Sequence, residues 1–453
     1  MSALTRSLID YYRCPADLLN LELSGELGGA EARFFQFGAG LVCYGRLTSG
    51  SRSRRVESDL YDVATDIESR GSSLRLPFDP AEIVDNLRLE RYPGTQDSWI
   101  RATAKKAYYQ LRPFMRRSVR ERIQRFQLSG WKECAFPGWP VDFSVDNIHE
   151  RLLVLALRSS SARRIPFIWF WPHGTEACVI MTHDVEGAAG RDHCEALMDI
   201  DDTYRIKASF QLVPEGSYQL TPEFLASIRK RGFEIGLQDL NHDGRLYDDR
   251  KEFLRRAKLI NQYAAEYGAK GFRAAVLYRK SDWFNAFDFS FDMSIPNTAR
   301  LDPQRGGCCT VMPFFIGNIL ELPVTTIQDY MLFNLLGEES IELWKEQTNA
   351  IWARNGLVSF IVHPDYIMDE TRSRYKELLT YLKTLRASKQ LWFGLPSEVD
   401  RWWRQRSKMR LVPNGDEWRI EGEGSERAVV AYARNDDGTL RYELQRLAHS
   451  SVR

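Results

Sequence analysis

The sequence predicts an α/β protein built around a (β/α) barrel over residues 176–406, with a β-rich and helical region before it and a short β appendage after it. Three observations carry this expectation. From 176 onward, apolar runs of strand length alternate with segments of helical spacing, the pattern of parallel strands joined by crossover helices. Outside that span the runs are shorter, alternate with period two, and are punctuated by Gly and Ser. Polar residues suited to chemistry also follow the apolar runs repeatedly, at the strand ends where an α/β barrel gathers its site.

At 453 residues the chain is too long for one ordinary core. Residues 1–95 read as a small β unit, with alternation in Arg33–Gly38 and Leu41–Gly45. Residues 96–175 read as a basic helical connector: Ala104, Tyr108, Leu111, Met115, Val119 and Ile123 recur at helical spacing, and Pro113 divides the run into two helices. Its polar face carries Arg112, Arg116, Arg117, Arg120, Arg122 and Arg125. Such a face over 112–126 allows peripheral contact with an anionic membrane or an acidic polymer, and equally a solvated surface or a neighbouring domain. Within the barrel the strand candidates are 178–183, 207–213, 233–238, 271–277, 287–294, 319–324, 357–363 and 391–394. Helices are expected around 192–205, 222–231, 249–267, 338–355 and 370–388; the second has Thr221 as N-cap, Pro222 at its first position and Gly232 past its end. Residues 407–453 return to β spacing, with an Asp437-Gly438 turn between Ala428–Ala433 and Leu440–Leu444.

Lys and Arg total 62 against 61 acids, a balance that gives no electrostatic signature of nucleic-acid binding. The seven cysteines are odd in number, scattered and without a C-x-x-C pair, which favours a reduced compartment. No apolar stretch of signal-peptide or membrane-spanning length occurs, so a cytoplasmic protein without a transmembrane segment is expected.

The chemistry follows strand order. Met181-Thr182-His183-Asp184-Val185-Glu186 closes the first strand with two carboxylates. Taken alone, an acid pair of this kind also serves as a helix cap. Gln238 and His242 follow the third strand four residues apart, a spacing that brings two side chains to one side of a turn. Arg273 ends the fourth strand in Gly271-Phe272-Arg273, and His363 ends the penultimate one in Phe360-Ile361-Val362-His363-Pro364. A histidine beside an apolar strand is often purely structural. Acids, His, Arg and His at successive strand ends are a pattern that structural roles do not require.

These motifs resemble those of the NodB-homology polysaccharide deacetylases, the carbohydrate esterase family 4 group, over residues 176–406. The resemblance implies a distorted (β/α) barrel. It makes Asp184 the candidate base, Arg273 the residue that orients it, and His363 the catalytic acid. Glu186, His242 and Gln238 fall at the metal-ligand positions of the family's acid pair and its H-x-x-x-H motif, with Gln238 standing where the first histidine belongs. Ala274-Ala275-Val276 replaces the family's usual Pro-Tyr after the Arg. The implied activity is hydrolytic removal of N-acetyl groups from a sugar of a bacterial polysaccharide or its precursor, assisted by a divalent metal, zinc foremost. The implied partner is an N-acetylated saccharide. Because a carboxamide oxygen is a poor ligand for a borderline-soft ion, two alternatives stand beside this one. One is a metal-independent amide hydrolase of the same fold; the other is a catalytically impaired barrel serving in carbohydrate binding or assembly. His183, one residue from Asp184 on a strand, should point to the opposite face and not join the site.

Overall fold

The computed structural model describes residues 3–28, 31–56, 59–71, 73–93, 115, 117–128, 130–160, 162–366, 370–388 and 390–445. The chain forms two compact units: one comprises 1–93, 143–175 and 401–453, the other 94–142 and 176–400.

The second unit is built on a nine-stranded sheet. Its strands are β1 (Ala177–Val185), β2 (Ala208–Leu212), β3 (Glu234–Gln238), β4 (Gly271–Arg273), β5 (Phe291–Asp292), β6 (Phe314–Ile316), β7 (Ile319–Glu321), β8 (Leu357–Val362) and β9 (Leu391–Phe393). The order is β6-β7-β5-β4-β3-β2-β1-β8, with β9 also on β1, and only the β6–β7 pair is antiparallel. β8 covers one edge of β1. The other edge is shared end to end, β9 on Ala177–Val179 and β2 on Met181–Val185. Among the described residues the two ends of the path are not joined by a regular ladder. Instead Thr325 Oγ1 and Thr326 Oγ1 donate to the carbonyls of Leu357 and Ser359, each at 2.8 Å, and Ser359 N donates to Thr325 Oγ1 at 2.9 Å. Hydroxyls thus bridge the gap that strand pairing leaves, and the barrel is a distorted one.

Every predicted strand of the barrel is present, three of them at half the expected length or less; the run at 319–324 ends at Glu321. The run at 271–277 stops at Arg273 because Ala275–Leu277 turns tightly, with Val276 at φ 58°. The run at 287–294 contracts to Phe291–Asp292. β6 was not foreseen: it is a three-residue edge strand with half-exposed Phe315, turned onto β7 through Gly317 at φ 59°. Helices α1 (Ala188–Thr203), α2 (Pro222–Lys230), α3 (Arg250–Tyr267), α4 (Glu342–Trp352) and α5 (Glu370–Ser388) fill the crossovers. α2 begins as its punctuation predicts, with Thr221 Oγ1 accepting from Phe224 N at 3.3 Å and Gly232 in the left-handed region.

Helix Arg117–Gln127 belongs to this unit, with Arg122 and Arg125 exposed; Gln124 Oε1 accepts from Tyr330 at 2.6 Å. The predicted helix before Pro113 lies outside the described residues. Among the described residues no helix is long and apolar enough to cross a membrane.

In the first unit, the alternating runs at Arg33–Gln36 and Val42–Gly45 are strands that pair antiparallel. Strand Val430–Asp436 lies between Ile165–Ile168 and Thr439–Leu444, all antiparallel, and the hairpin turns through Asp437 and Gly438, both at positive φ. Buried Arg406 fixes this unit by donating to the carbonyls of Tyr11, Tyr12, Ile168 and Trp169.

Candidate active site

The sheet brings all six predicted residues to its carboxyl end. β1 alternates its side chains, so Thr182 and Asp184 share one face while His183 takes the other. His183 is buried against α1, its Nε2 2.8 Å from Asp201 Oδ2, and Tyr375 donates to the second oxygen of Asp201 at 2.6 Å. It is a structural histidine, as the alternation predicts.

Asp184 is 3 % exposed, and its two oxygens have separate partners. Arg273, fully buried at the end of β4, donates Nη1 to Asp184 Oδ1 at 2.5 Å and to Thr182 Oγ1 at 2.8 Å, and Nε to the Met293 carbonyl at 3.0 Å. Gln238, which pairs in register with Arg273 at the end of β3, donates its amide to Asp184 Oδ2 at 3.1 Å and to Glu186 Oε1 at 3.5 Å. One carboxylate oxygen is therefore tied to a guanidinium and the other to a neutral amide. Both contacts fix its direction.

Glu186 lies just past β1, and its Oε1 is a meeting point. His242 Nε2 is 2.9 Å away and His363 Nε2 is 3.5 Å away. Asp239 and His242 both take positive φ, 54° and 57°, and this fold in the loop after β3 returns the imidazole to the strand ends. Burial alone pushes the Glu186 carboxyl up, but His242 and His363 outweigh it and hold the group well below the usual carboxylate range. The Glu186 side chain is 25 % exposed, against 4 % for His363, so the site meets solvent on the Glu186 side.

His363 follows β8, whose last residue pairs with His183, and this register puts it beside Asp184's strand end. Its Nδ1 is 2.6 Å from Asp329 Oδ1, and its backbone N donates to Asp329 Oδ2 at 2.7 Å. Burial lowers the imidazole's proton affinity, yet the Asp329 and Glu186 carboxylates together raise its pKa well above the ordinary histidine value. The two carboxylates thus favour the protonated ring, with Nδ1 committed to Asp329 and Nε2 directed at the site. Sequence reading missed Asp329. Its only signal was an Asp ahead of an apolar turn, which reads as a cap, and it is one: Tyr330 N donates to Asp329 Oδ1 at 2.8 Å.

A cation at this site needs three converging lone pairs from protein ligands. Glu186 and His242 are of the required type. Gln238 is not, because its NH₂ faces the two carboxylates and its Oε1 is buried without a partner. Among the described residues no group of three or more His, Cys, Asp or Glu side chains is arranged to hold a metal ion. The donor set therefore does not fit a catalytic first-row metal. Gln238→His supplies the missing imidazole. It is expected to tighten zinc binding, measured by calorimetry, by more than the ~100-fold that even outer-shell partners of a ligand can contribute; an unchanged affinity would show that the remaining ligands are not assembled.

No protein-family model and no curated protein matches the chain. Solved structures do. A candidate polysaccharide deacetylase from Mycobacterium smegmatis is 17 % identical, with 55 % of this chain and 98 % of that one covered and a TM-score of 0.43. The PuuE allantoinase is 14 % identical over 52 % of this chain and 92 % of that one, at a TM-score of 0.43. A family 4 acetyl xylan esterase from Clostridium thermocellum, solved with a cobalt ion, is 17 % identical over 50 % of this chain and 91 % of that one, at a TM-score of 0.34. Over about half its length, the chain is similar to solved structures of polysaccharide deacetylases and of a family 4 acetyl xylan esterase.

Proposed function

We propose that this protein hydrolyses the N-acetyl amide of a saccharide, a unit of a bacterial polysaccharide or its precursor. The observation that carries this reading is the separate orientation of two groups at adjacent strand ends. The Asp184 carboxyl is aimed by Arg273, and the His363 imidazole is held by Asp329, which with Glu186 favours its protonated form. Amide hydrolysis needs a base for the attacking water and an acid for the departing nitrogen, and it needs them at once. The choice of an N-acetylated sugar rests on the resemblance of the strand-end motifs to those of the deacetylases.

In this mechanism Asp184 removes a proton from water as its oxygen bonds to the acetyl carbon. The tetrahedral intermediate then collapses, the C–N bond breaks, and His363 Nε2 gives its proton to the amine. Acetate and the free amino sugar are the products. No step is assigned to a cation.

Acetate release from a chitin oligosaccharide is the test. Asp184→Asn keeps the side chain's size but cannot take the proton, and a fall in kcat of ~10²-fold or more is expected. Equal rates in wild type and variant would reject Asp184 as the base.

A second reading rests on Gln238 itself. If the amide has silenced the site, the barrel binds saccharide without cleaving it. Oligosaccharide affinity would then be measurable with no acetate formed by wild type.

A further inference from the structure

Behind Arg273 lies a second pair of acids that the mechanism above leaves unused. Asp292 ends β5 and Glu321 ends β7; the strands are parallel neighbours, and these two residues are paired in register. Both side chains are buried, Asp292 at 1 % and Glu321 at 0 % exposure.

Their contacts lead to the catalytic base. Asp292 accepts from Ser294 N at 2.9 Å and from Ser294 Oγ at 3.0 Å, and Glu321 Oε1 accepts from Ile295 N at 3.0 Å. Ser294 Oγ in turn accepts from Ala274 N at 2.8 Å, one residue after Arg273. Between them, Met293 presents its carbonyl to Arg273 Nε at 3.0 Å. The pair therefore shapes the 293–295 turn against which the guanidinium rests, and the guanidinium aims Asp184. We infer that Asp292 and Glu321 are positioning residues for Arg273, and through it for the base at Asp184. This inference rests on the catalytic reading of Asp184.

The arrangement has a proton condition. Two adjacent buried carboxyls cannot both ionise without strong repulsion. Burial, then Asp292, pushes the Glu321 carboxyl well above its ordinary range, and burial pushes Asp292 up to about 6. Glu321 Oε2 faces no donor, as suits the protonated oxygen of the pair. The charged and titratable groups around the pair are Arg273 beside Asp292, Arg279 beside Glu321, and the buried Tyr247 hydroxyl near both. Because the folded state holds the Glu321 proton more tightly than the unfolded chain, that stabilisation is complete below the ordinary glutamate range. It is lost as pH rises through the raised folded value.

The test uses the full chain and two readouts. Thermal midpoints are measured from pH 5 to pH 9 for wild type, Glu321→Gln, Asp292→Asn, Arg273→Met and the Asp292→Asn/Arg273→Met double variant. Wild type should lose at least ~3 °C more than Glu321→Gln across this range, since glutamine cannot ionise. The effect of Asp292→Asn should shrink once Arg273 is gone, because coupled residues are not additive. Parallel pH curves, or an Asp292→Asn effect independent of Arg273, would overturn the inference without touching the deacetylase reading. In acetate release from a chitin oligosaccharide, Glu321→Leu should lower kcat at least tenfold with KM unchanged, and Glu321→Gln should recover most of that loss. A change confined to KM, or no recovery with Gln, would overturn it as well. Wild type that shows the thermal coupling but releases no acetate would fail the proposed activity and leave the positioning pair standing.

Discussion

His363→Ala is expected to lower kcat for N-acetyl hydrolysis by ~10²–10⁴-fold, the usual worth of a positioned general acid. The size follows from how the proton is held. Asp329 takes the Nδ1 side at 2.6 Å and leaves Nε2 as the atom that faces the site. The alanine variant also leaves the buried Asp329 without its imidazole partner, so stability should fall too. The folded protein keeps this proton to a higher pH than the unfolded chain does. Its stabilising contribution is therefore full below the ordinary histidine range and is lost as pH rises through the raised value. The stability gap between wild type and His363→Ala, read from urea denaturation, should be wider at pH 6 than at pH 9.

Arg273→Met should have the largest effect on stability. The guanidinium is 0 % exposed and Asp184 4 % by side chain, so the methionine fills the volume but strands a buried carboxylate. Removing one partner of a buried ion pair costs ~3–5 kcal/mol. For a domain this large, that is a drop in Tm of several degrees, seen by differential scanning calorimetry. Activity should fall with it, because Asp184 loses the 2.5 Å contact that sets its direction. Asp184→Asn/Arg273→Met should be more stable than Arg273→Met alone, since the double variant has no unpaired charge to bury. A methionine variant as stable as wild type would mean that the pair is not desolvated as described.

Much of the site was legible because strand ends are marked in sequence. Asp184, Gln238, Arg273 and His363 each follow an apolar run, and one sheet gathers those ends. His183 was legible by alternation alone, and it is buried against Asp201 on the far face. Asp329, Asp292 and Glu321 were harder to see. Asp329 caps a turn and orients His363 with the same carboxylate, and only the cap has a local signature. Glu321 ends a run that reads simply as a strand, and its meaning depends on a neighbour 29 positions earlier being paired with it in register. Such pairings are set by sheet order, which single-sequence periodicity does not contain. The same limit applies to strand lengths. Nothing in Gly271–Leu277 announces that Val276 takes a positive φ and ends the strand at Arg273.

The division of labour between Asp184 and His363 is the central claim, and leaving-group dependence tests it most directly. A general acid matters when the departing nitrogen is basic, as in an amino sugar, and matters little when it departs easily, as from 4-nitroacetanilide. A general base for the attacking water is needed with both substrates. The measurement is kcat/KM of wild type, Asp184→Asn and His363→Ala on a chitin oligosaccharide and on the anilide. The expected result is that Asp184→Asn is impaired on both, while His363→Ala is impaired on the sugar and close to wild type on the anilide. Equal losses for His363→Ala on the two substrates would contradict its role as the acid, and undiminished sugar hydrolysis by Asp184→Asn would contradict the account as a whole.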